Sequence, residues 1–471
     1  MDRNSLRILL IGEGGREHAL AVWLSKSHHV EKIICTPGNG GTARGCSKIQ
    51  NASPSVRADD FEGLLQLARD EEINFVVPCS GEALVGGIVD YFRQDSEIDP
   101  LSEGYRIIFG PSKGAARLEG SKCFAKDFMT RHSIPTAKYW NCSTFEDAVH
   151  CLEQVDFPVV IKASGLTGPG EGVFMPDNAE ESLATVKMLM CERAFGNAGD
   201  EIVIEELLDG DEISLTVITD GRSILSFPVM GETSERMGGY APAPLVTSEQ
   251  LYNIRDRIIH PSLYGIRHEG HMFIGFMTIG LMMTPTGPQL VDFNIRFGDP
   301  EAQTLLPMMD HRADLAAIMW ACAQFKLDAA YLRFQPVSAA SIVMTSKEYP
   351  DHYEVGKKID LEPALCSTPV LLFQAGTILD GYTLKTNGRR VLTAVYTHPT
   401  LEGAIKGAYE GVENVQFEGK YFRTDIAKPA VPPRDYGADL SLEVTPLVAP
   451  SELSNLPLGW PQNWSPGTSR I

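Results

Sequence analysis

Asp292, Asn294 and Arg296 stand at alternate positions of residues 289–297. Read as a strand, this run puts the three on one face and Val291, Phe293, Ile295 and Phe297 on the other. A carboxylate and an amide oxygen two residues apart are hard donors suited to Mg2+ (or Mn2+). An arginine beside them can neutralise a phosphoryl group in transfer. The pattern therefore predicts a metal strand, with a solvated outer face as the bland alternative. Asn and Arg ahead of Gly298-Asp299-Pro300-Glu301 favour the chemical reading.

Other residues point to phosphate. Leu9-Leu10-Ile11 leads into Gly12-Glu13-Gly14-Gly15-Arg16-Glu17-His18, a strand-to-helix turn whose free N–H groups can hold an anion. Glu17 occupies the place of the third glycine of a dinucleotide fingerprint, which argues against a nicotinamide enzyme. A second glycine loop at 37–42 is expected at the same sheet edge. Lys122 begins a helix, and Lys162 ends a buried strand ahead of the glycine-rich residues 164–172. Lysines so placed meet phosphate or are ordinary surface charges. Glu205, Glu206 and Leu207, followed by Glu212, are expected to set backbone groups beside an adenine and a carboxylate near a ribose.

The elements that carry these residues follow from apolar patterning. Residues 7–110 alternate short β-branched runs (7–11, 32–35, 74–77, 106–109) with amphipathic stretches at 18–25 and 61–69, which reads as a parallel α/β unit. A helix over 112–132, strands at 159–163, 201–205 and 289–297, and a hairpin-rich stretch between them come next. Residues 335–427 form a further compact α+β segment. From 428 to 471 eight prolines fall in a stretch with little helical pattern, which reads as a surface-wrapping or disordered tail. The fold class is α/β and α+β multidomain, divided as 1–111, 112–330, 335–427 and 428–471.

Composition narrows the function. With 41 basic against 61 acidic residues the net charge is −20, which disfavours a nucleic-acid partner. Nine scattered cysteines without a Cys-x-x-Cys pair read as reduced thiols. No run of about 18 apolar residues suggests a membrane span, and the final Ser469-Arg470-Ile471 matches a peroxisomal address only loosely. A cytoplasmic protein acting on small molecules is expected.

Taken together, residues 11–20, 37–42, 109–128, 160–165, 203–206, 292–303 and 386–392 resemble the phosphoribosylamine–glycine ligase (glycinamide ribonucleotide synthetase) family of ATP-grasp enzymes, to about residue 427. The resemblance implies a substrate-binding α/β domain, a two-part ATP-grasp domain, a small C-terminal domain, and a place in purine biosynthesis. It implies amide formation from a carboxylate and an amine through an acyl phosphate, with ATP and Mg2+. Lys122 and Lys162 would contact ATP phosphates, Glu205, Glu206 and Leu207 form the adenine hinge, and Glu212 bind the ribose. Asp292 and Asn294 would hold the metal and Arg296 the acyl phosphate. Gly12, Gly14, Gly15 and Arg16 would take the sugar phosphate, and Asp299 would lie near the amino acid.

The chain departs from the family at three places. Glu171 stands where the glycine-rich loop has a lysine, so it either turns away or weakens nucleotide binding by roughly 1–4 kcal/mol per charge pair. The family's metal-strand glutamate is Asp292, and its histidine before Ala-Gly-Thr is Gln374. Residues 227–244 replace a longer family loop that shapes the amine-donor end. A diverged enzyme of specialised metabolism joining another acid and amine is therefore the alternative, and a non-catalytic nucleotide-binding paralogue a further one.

Overall fold

A computed structural model describes residues 5–95, 106–168, 171–232, 237–244, 246–347, 349, 353–361, 369–427 and 445–446. Strands β1 (Leu6–Gly12), β2 (Val30–Pro37), β3 (Ile49–Asn51), β4 (Phe75–Pro78) and β5 (Ile107–Ile108) form one sheet in the order β3-β2-β1-β4-β5. Each neighbouring pair is parallel. Their near-continuous apolar runs reflect burial on both faces. Ile8 and Leu10 enter one large core with Leu20 and Trp23 of the helix Gly15–Ser25, while Leu9 and Ile11 enter a second. The strand order reverses between β1 and β4, so the carboxyl end of β1, at Gly12, lies where open α/β sheets bind ligands.

A four-stranded antiparallel sheet follows: β6 (Tyr139–Cys142), β7 (Val159–Ala163), β8 (Val173–Phe174) and β9 (Ile202–Glu206), ordered β6-β9-β7-β8. With the helices Phe145–Gln154 and Ala179–Met190 it closes its own small core around Ile161, Leu189 and Ile204. The largest sheet contains β10 (Asp211–Thr219), β11 (Ser223–Ser226), β12 (Met230–Glu232), β13 (Gly238–Ala241), β14 (Gly275–Thr284), β15 (Gly287–Asn294), β16 (Ser338–Ser346) and β17 (Leu371–Gln374). A hairpin of β18 (Thr377–Asp380) and β19 (Thr383–Thr386) intervenes before β20 (Arg390–His398), and the main path runs β15-β14-β10-β12-β13-β16-β20-β17. Residues 338–427 pack a core of their own around Ile342, Leu392 and Val412, yet β16 pairs with β13 from Gly238↔Ile342 to Ala241↔Ala339. Hydrogen bonding thus runs unbroken across the expected boundary near residue 330.

Two expectations change. The single helix over 112–132 is two, Lys113–Gly120 and Lys122–Arg131. Ser121 is extended (φ −147°, ψ 112°), and its hydroxyl accepts from the Phe124 N–H at 3.1 Å, ending one helix and capping the next. The strand expected over 289–297 ends at Asn294, and its alternation is interrupted: Gly280 pairs with Asp292 but Leu281 with Leu290, leaving Val291 as an extra residue. Val291 is consequently half-buried, whereas Phe293, Ile295 and Phe297 are in the cores as expected. Of the proline-rich tail, only Thr445–Pro446 lies within the described residues, paired with Ser223 and Ile224 of β11.

Candidate active site

At the carboxyl ends of β1 and β2 the two glycine loops meet as expected. The Gly38 N–H donates to Gly12 O at 3.2 Å, and Asn39 Nδ2 donates to Glu13 O at 2.8 Å and Gly14 O at 3.1 Å. The same amide reaches Gln374 O at 2.9 Å, tying the C-terminal segment to the loops. The turn's N–H groups, however, are not all free. The Gly14 N–H donates to Glu17 Oε2 at 2.6 Å, and the Arg16 N–H to Asp299 Oδ2 at 3.4 Å. Glu17, read as an obstacle to a dinucleotide, is a buried carboxylate that caps its own turn and pairs with the Arg16 guanidinium at 2.6 Å. A phosphate at this turn therefore meets a partly satisfied loop.

Asp299 is the hub beside it. Its carboxylate accepts from Gln303 Nε2 at 2.8 Å and lies 3.4 Å from Arg390 Nη1, which also donates to Asp299 O at 3.1 Å. Burial pushes this carboxyl up, but Arg390 and Arg16 outweigh it and hold the group below the usual carboxylate range. His18, behind the turn, accepts from the Gln374 N–H at 2.9 Å through Nδ1, and burial lowers its pKa to about 4. It is neutral at ordinary pH.

The second cluster lies between the four-stranded sheet and the large one. Lys162 at the end of β7 is buried and ion-paired with Glu205 on β9. Glu205 is also paired with Lys126, a buried lysine that no motif in the sequence marks. Lys126 lies four residues after Lys122, and that spacing places both on one side of their helix. Lys122 donates through Nζ to Ala163 O at 3.1 Å, beside Lys162. Burial lowers the pKa of Lys162, but Glu205 and then Asp292 and Glu212 reverse this and raise it. The lysine thus senses the expected metal and ribose carboxylates together.

The hinge is less available than expected. The Glu206 N–H donates to Lys138 O and the Leu207 N–H to Pro158 O, each at 2.9 Å, because these residues continue the sheet pairing. Neither N–H is free for an adenine, while the Leu207 side chain is 41% exposed.

On the large sheet, Asp292 and Asn294 oppose Gly280 and Thr278. A Cβ on Gly280 would sit 2.4 Å from Asp292 Oδ1, so the glycine leaves the space that the carboxylate fills. A carboxylate and a nearly buried amide on one edge strand, with two lysines to balance phosphate charge, form a donor set that fits Mg2+. Arg296 pairs with Glu119 at 2.6 Å, and the other oxygen of Glu119 accepts from the Ile295 N–H at 2.9 Å. Glu119 also escaped the sequence reading, since only the fold brings it to the strand.

Glu171 is held by an ion pair. It pairs with Arg389, just before β20, and accepts from the Gly168 N–H at 3.2 Å, so the glycine-rich loop is tied to the C-terminal segment. Pro169 and Gly170 of that loop, and residues 233–236 of the shortened 227–244 loop, lie outside the described residues. The flanks of the shortened loop pair as β12 and β13.

Models of the phosphoribosylglycinamide synthetase N domain, ATP-grasp (A) domain and C domain match residues 6–119, 120–302 and 339–429. The chain belongs to this family. A phosphoribosylamine–glycine ligase of Chlorobaculum tepidum is 39% identical over 439 residues, covering 90% of this chain and 100% of that one. A bifunctional purine biosynthetic protein of Schizosaccharomyces pombe is 38% identical over 437 residues, and there the match covers 90% of this chain but only 54% of the relative. The chain thus spans about half the length of such multifunctional relatives. Among solved structures, a phosphoribosylamine–glycine ligase of Thermotoga maritima superposes with a TM-score of 0.70 at 28% identity, covering 90% of this chain and 100% of that one. A biotin carboxylase of Campylobacter jejuni shares the fold at 14% identity, with a TM-score of 0.67 and coverage of 90% and 97%. The ATP-grasp fold read from the sequence therefore stands for this phosphoribosylglycinamide synthetase-family chain. Among its described residues no helix is long and apolar enough to cross a membrane.

Proposed function

We propose that the chain is an ATP-dependent ligase joining glycine to 5-phosphoribosylamine, giving glycinamide ribonucleotide, ADP and phosphate. The reading rests chiefly on the buried ion pairs of Lys162 and Lys126 with Glu205, set within the matched ATP-grasp segment that also carries Asp292 and Asn294. Similarity to the Chlorobaculum enzyme along that enzyme's whole length supports the choice of substrates. We place the protein in the cytoplasm, acting on small molecules without nucleic acid, in keeping with its net charge of −20.

In this reading Lys122 and Lys162 neutralise the ATP phosphates, Glu212 orients the ribose, and Leu207 packs on the adenine. Asp292 and Asn294 would hold Mg2+ (or Mn2+), which when bound supplies charge neutralisation along the phosphates. A glycine carboxylate oxygen attacks the γ-phosphorus as the bond to the bridging β,γ-oxygen breaks, releasing ADP. Arg296, braced by Glu119, neutralises the resulting acyl phosphate. The amine of the second substrate attacks its carbonyl carbon, the C–O bond to phosphate breaks, and the nitrogen gives up a proton. Asp299 would orient the amino group of glycine, held for that task by Arg390 and Gln303. Gly12, Gly14, Gly15 and Arg16 would face the sugar phosphate, with Arg16 the cation of that group. The glycine-rich loop, tied down through Glu171 and Arg389, would keep water from the acyl phosphate.

The short connection between β12 and β13 favours a second reading, in which a related acid and amine are joined. ADP release measured over a panel of amino acids, with hydroxylamine to trap the acyl phosphate and 5-phosphoribosylamine as acceptor, separates the two. Turnover confined to glycine with phosphoribosylamine supports the first. Trapping with another acid and none with glycine overturns it, and no ADP with any acid leaves a nucleotide-binding paralogue.

A further inference from the structure

At the outer edge of β15 an open cleft of about 580 Å3 lies between residues 133–139 and the helical stretch that carries Arg257. None of the residues assigned above to nucleotide, metal or substrate lines it. Two cations do: Lys138 and Arg257, both exposed. Among the described residues neither is ion-paired, although the chain carries 20 more acidic than basic groups, and the Lys138 ammonium lies 5.6 Å from the Phe157 ring centroid. The polar residues Ser133, Thr136 and Gln289 share the lining with Ile134 and Pro135. Volumes of about 300–1,000 Å3, with mixed walls and a few convergent polar groups, suit ligands of nucleotide size.

The backbone bearing Arg257 is unusual. Residues Arg255–Ile259 form a π-helical turn between the helices Ser248–Ile254 and His260–His268. Such turns are uncommon and concentrate at functional sites. Here Ile258 and Ile259 are both buried while Arg257 points to the cleft, 4.0 Å from a Cβ built on Gly287.

The inner wall leads to the nucleotide cluster by two short routes. Thr136 accepts from Lys126 Nζ at 2.7 Å and donates to Leu290 O at 2.7 Å, and Lys126 is paired with Glu205. Lys138, on the same wall, accepts the Glu206 N–H through its carbonyl at 2.9 Å. These contacts connect the cleft wall to the hinge backbone and, through Lys126 and Glu205, to the partner of Lys162.

We propose that this cleft binds a phosphate-bearing small molecule of nucleotide size and that its occupancy alters nucleotide affinity in the main site. Lys138 and Arg257 hold the phosphate, and the apolar strip takes the organic part. The test uses the full chain saturated with Mg2+ and a non-hydrolysable ATP analogue, titrated calorimetrically with AMP so that the nucleotide site is already filled. One AMP per chain is expected. Lys138→Ala and Arg257→Ala, both at exposed positions, are each expected to weaken it on the order of tenfold. AMP should change the affinity for the analogue by the same factor by which the analogue changes that for AMP, and Arg257→Ala should remove both effects. Absence of AMP binding, or binding that neither substitution weakens, would overturn the site; binding with no reciprocal effect would overturn its coupling. These readouts do not depend on turnover, so they stand or fall apart from the ligase assignment.

Discussion

Replacing Glu205 by glutamine tests the buried cluster most directly. Burial pushes the Glu205 carboxyl up, but Lys162 and Lys126 overcome this and hold it below the usual carboxylate range. The side chains of all three are nearly inaccessible, at 3% for Lys126, 6% for Lys162 and 5% for Glu205. Glutamine keeps the shape and removes the charge, leaving two ammonium groups to face each other. Breaking a buried ion pair costs about 3–5 kcal/mol, and two like charges about 4 Å apart repel by about 4 kcal/mol at an effective dielectric of 20. Lys126, whose pKa burial already lowers, relieves part of this by losing its proton. The expected loss of stability without nucleotide is therefore about 3–5 kcal/mol. Mg-ATP brings negative charge to the same lysines, so the stabilisation it confers should be larger in the variant than in the natural chain. Urea unfolding with and without Mg-ATP reads both quantities. Adding Lys126→Met to the variant should recover part of the stability by removing one of the two unbalanced charges. A Glu205→Gln protein as stable as the natural one, or one gaining no more from nucleotide, would refute the argument.

Gly280→Ala would push the Asp292 carboxylate from its place, since the new Cβ lies 2.4 Å from Oδ1; ADP release should then need severalfold more Mg2+ with little change in the unfolding midpoint, and an unaltered Mg2+ dependence would reject the metal assignment. His18 has a folded pKa of about 4 against 6.5 unfolded, so its contribution is complete above about pH 6.5 and is lost as pH falls toward 4, by on the order of 3 kcal/mol. His18→Gln should flatten the fall in stability between about pH 7 and pH 5, and equal slopes would count against a buried neutral imidazole. Glu171→Arg and Arg389→Glu should each raise KM for ATP, while the double reversal recovers most of the loss; no recovery would mean that their ion pair does not hold the loop.

Sequence pattern exposed the parallel sheet because β1, β2 and β4 are apolar on both faces, a demand local enough to read from four or five residues. Asp292 and Asn294 were legible for the same reason, being fixed by the two-residue period of one strand. What escaped depends on partners distant in the chain. The extra residue at Val291 is visible only in the register against β14. Glu119 becomes a brace only when β15 arrives beside its helix, and Lys126 becomes part of the nucleotide cluster only when β9 places Glu205 against it. Ser121 could have been found, since a serine after glycine and before a fresh apolar run is a helix-start signal. Sequence alone presents the turn at Gly12 as an open anion cradle because its carboxylate plugs, Glu17 and Asp299, come from a side chain folded back and from nearly three hundred residues downstream.

The pairing of β13 with β16 also sets how the chain can be cut or recombined. Ending it near residue 330 would strip β13 of its neighbour and bare four residues, Gly238–Ala241, as an unprotected edge able to recruit strands from other molecules. Exchanging the C-terminal segment between relatives would succeed only where the donor strand matches this register, because a slip of one position turns Ile342 and Met344 out of their core. Residues 238–241 and 339–342 therefore belong to one structural unit although they fall in different family segments, so a workable cut has to leave both strands on the same side.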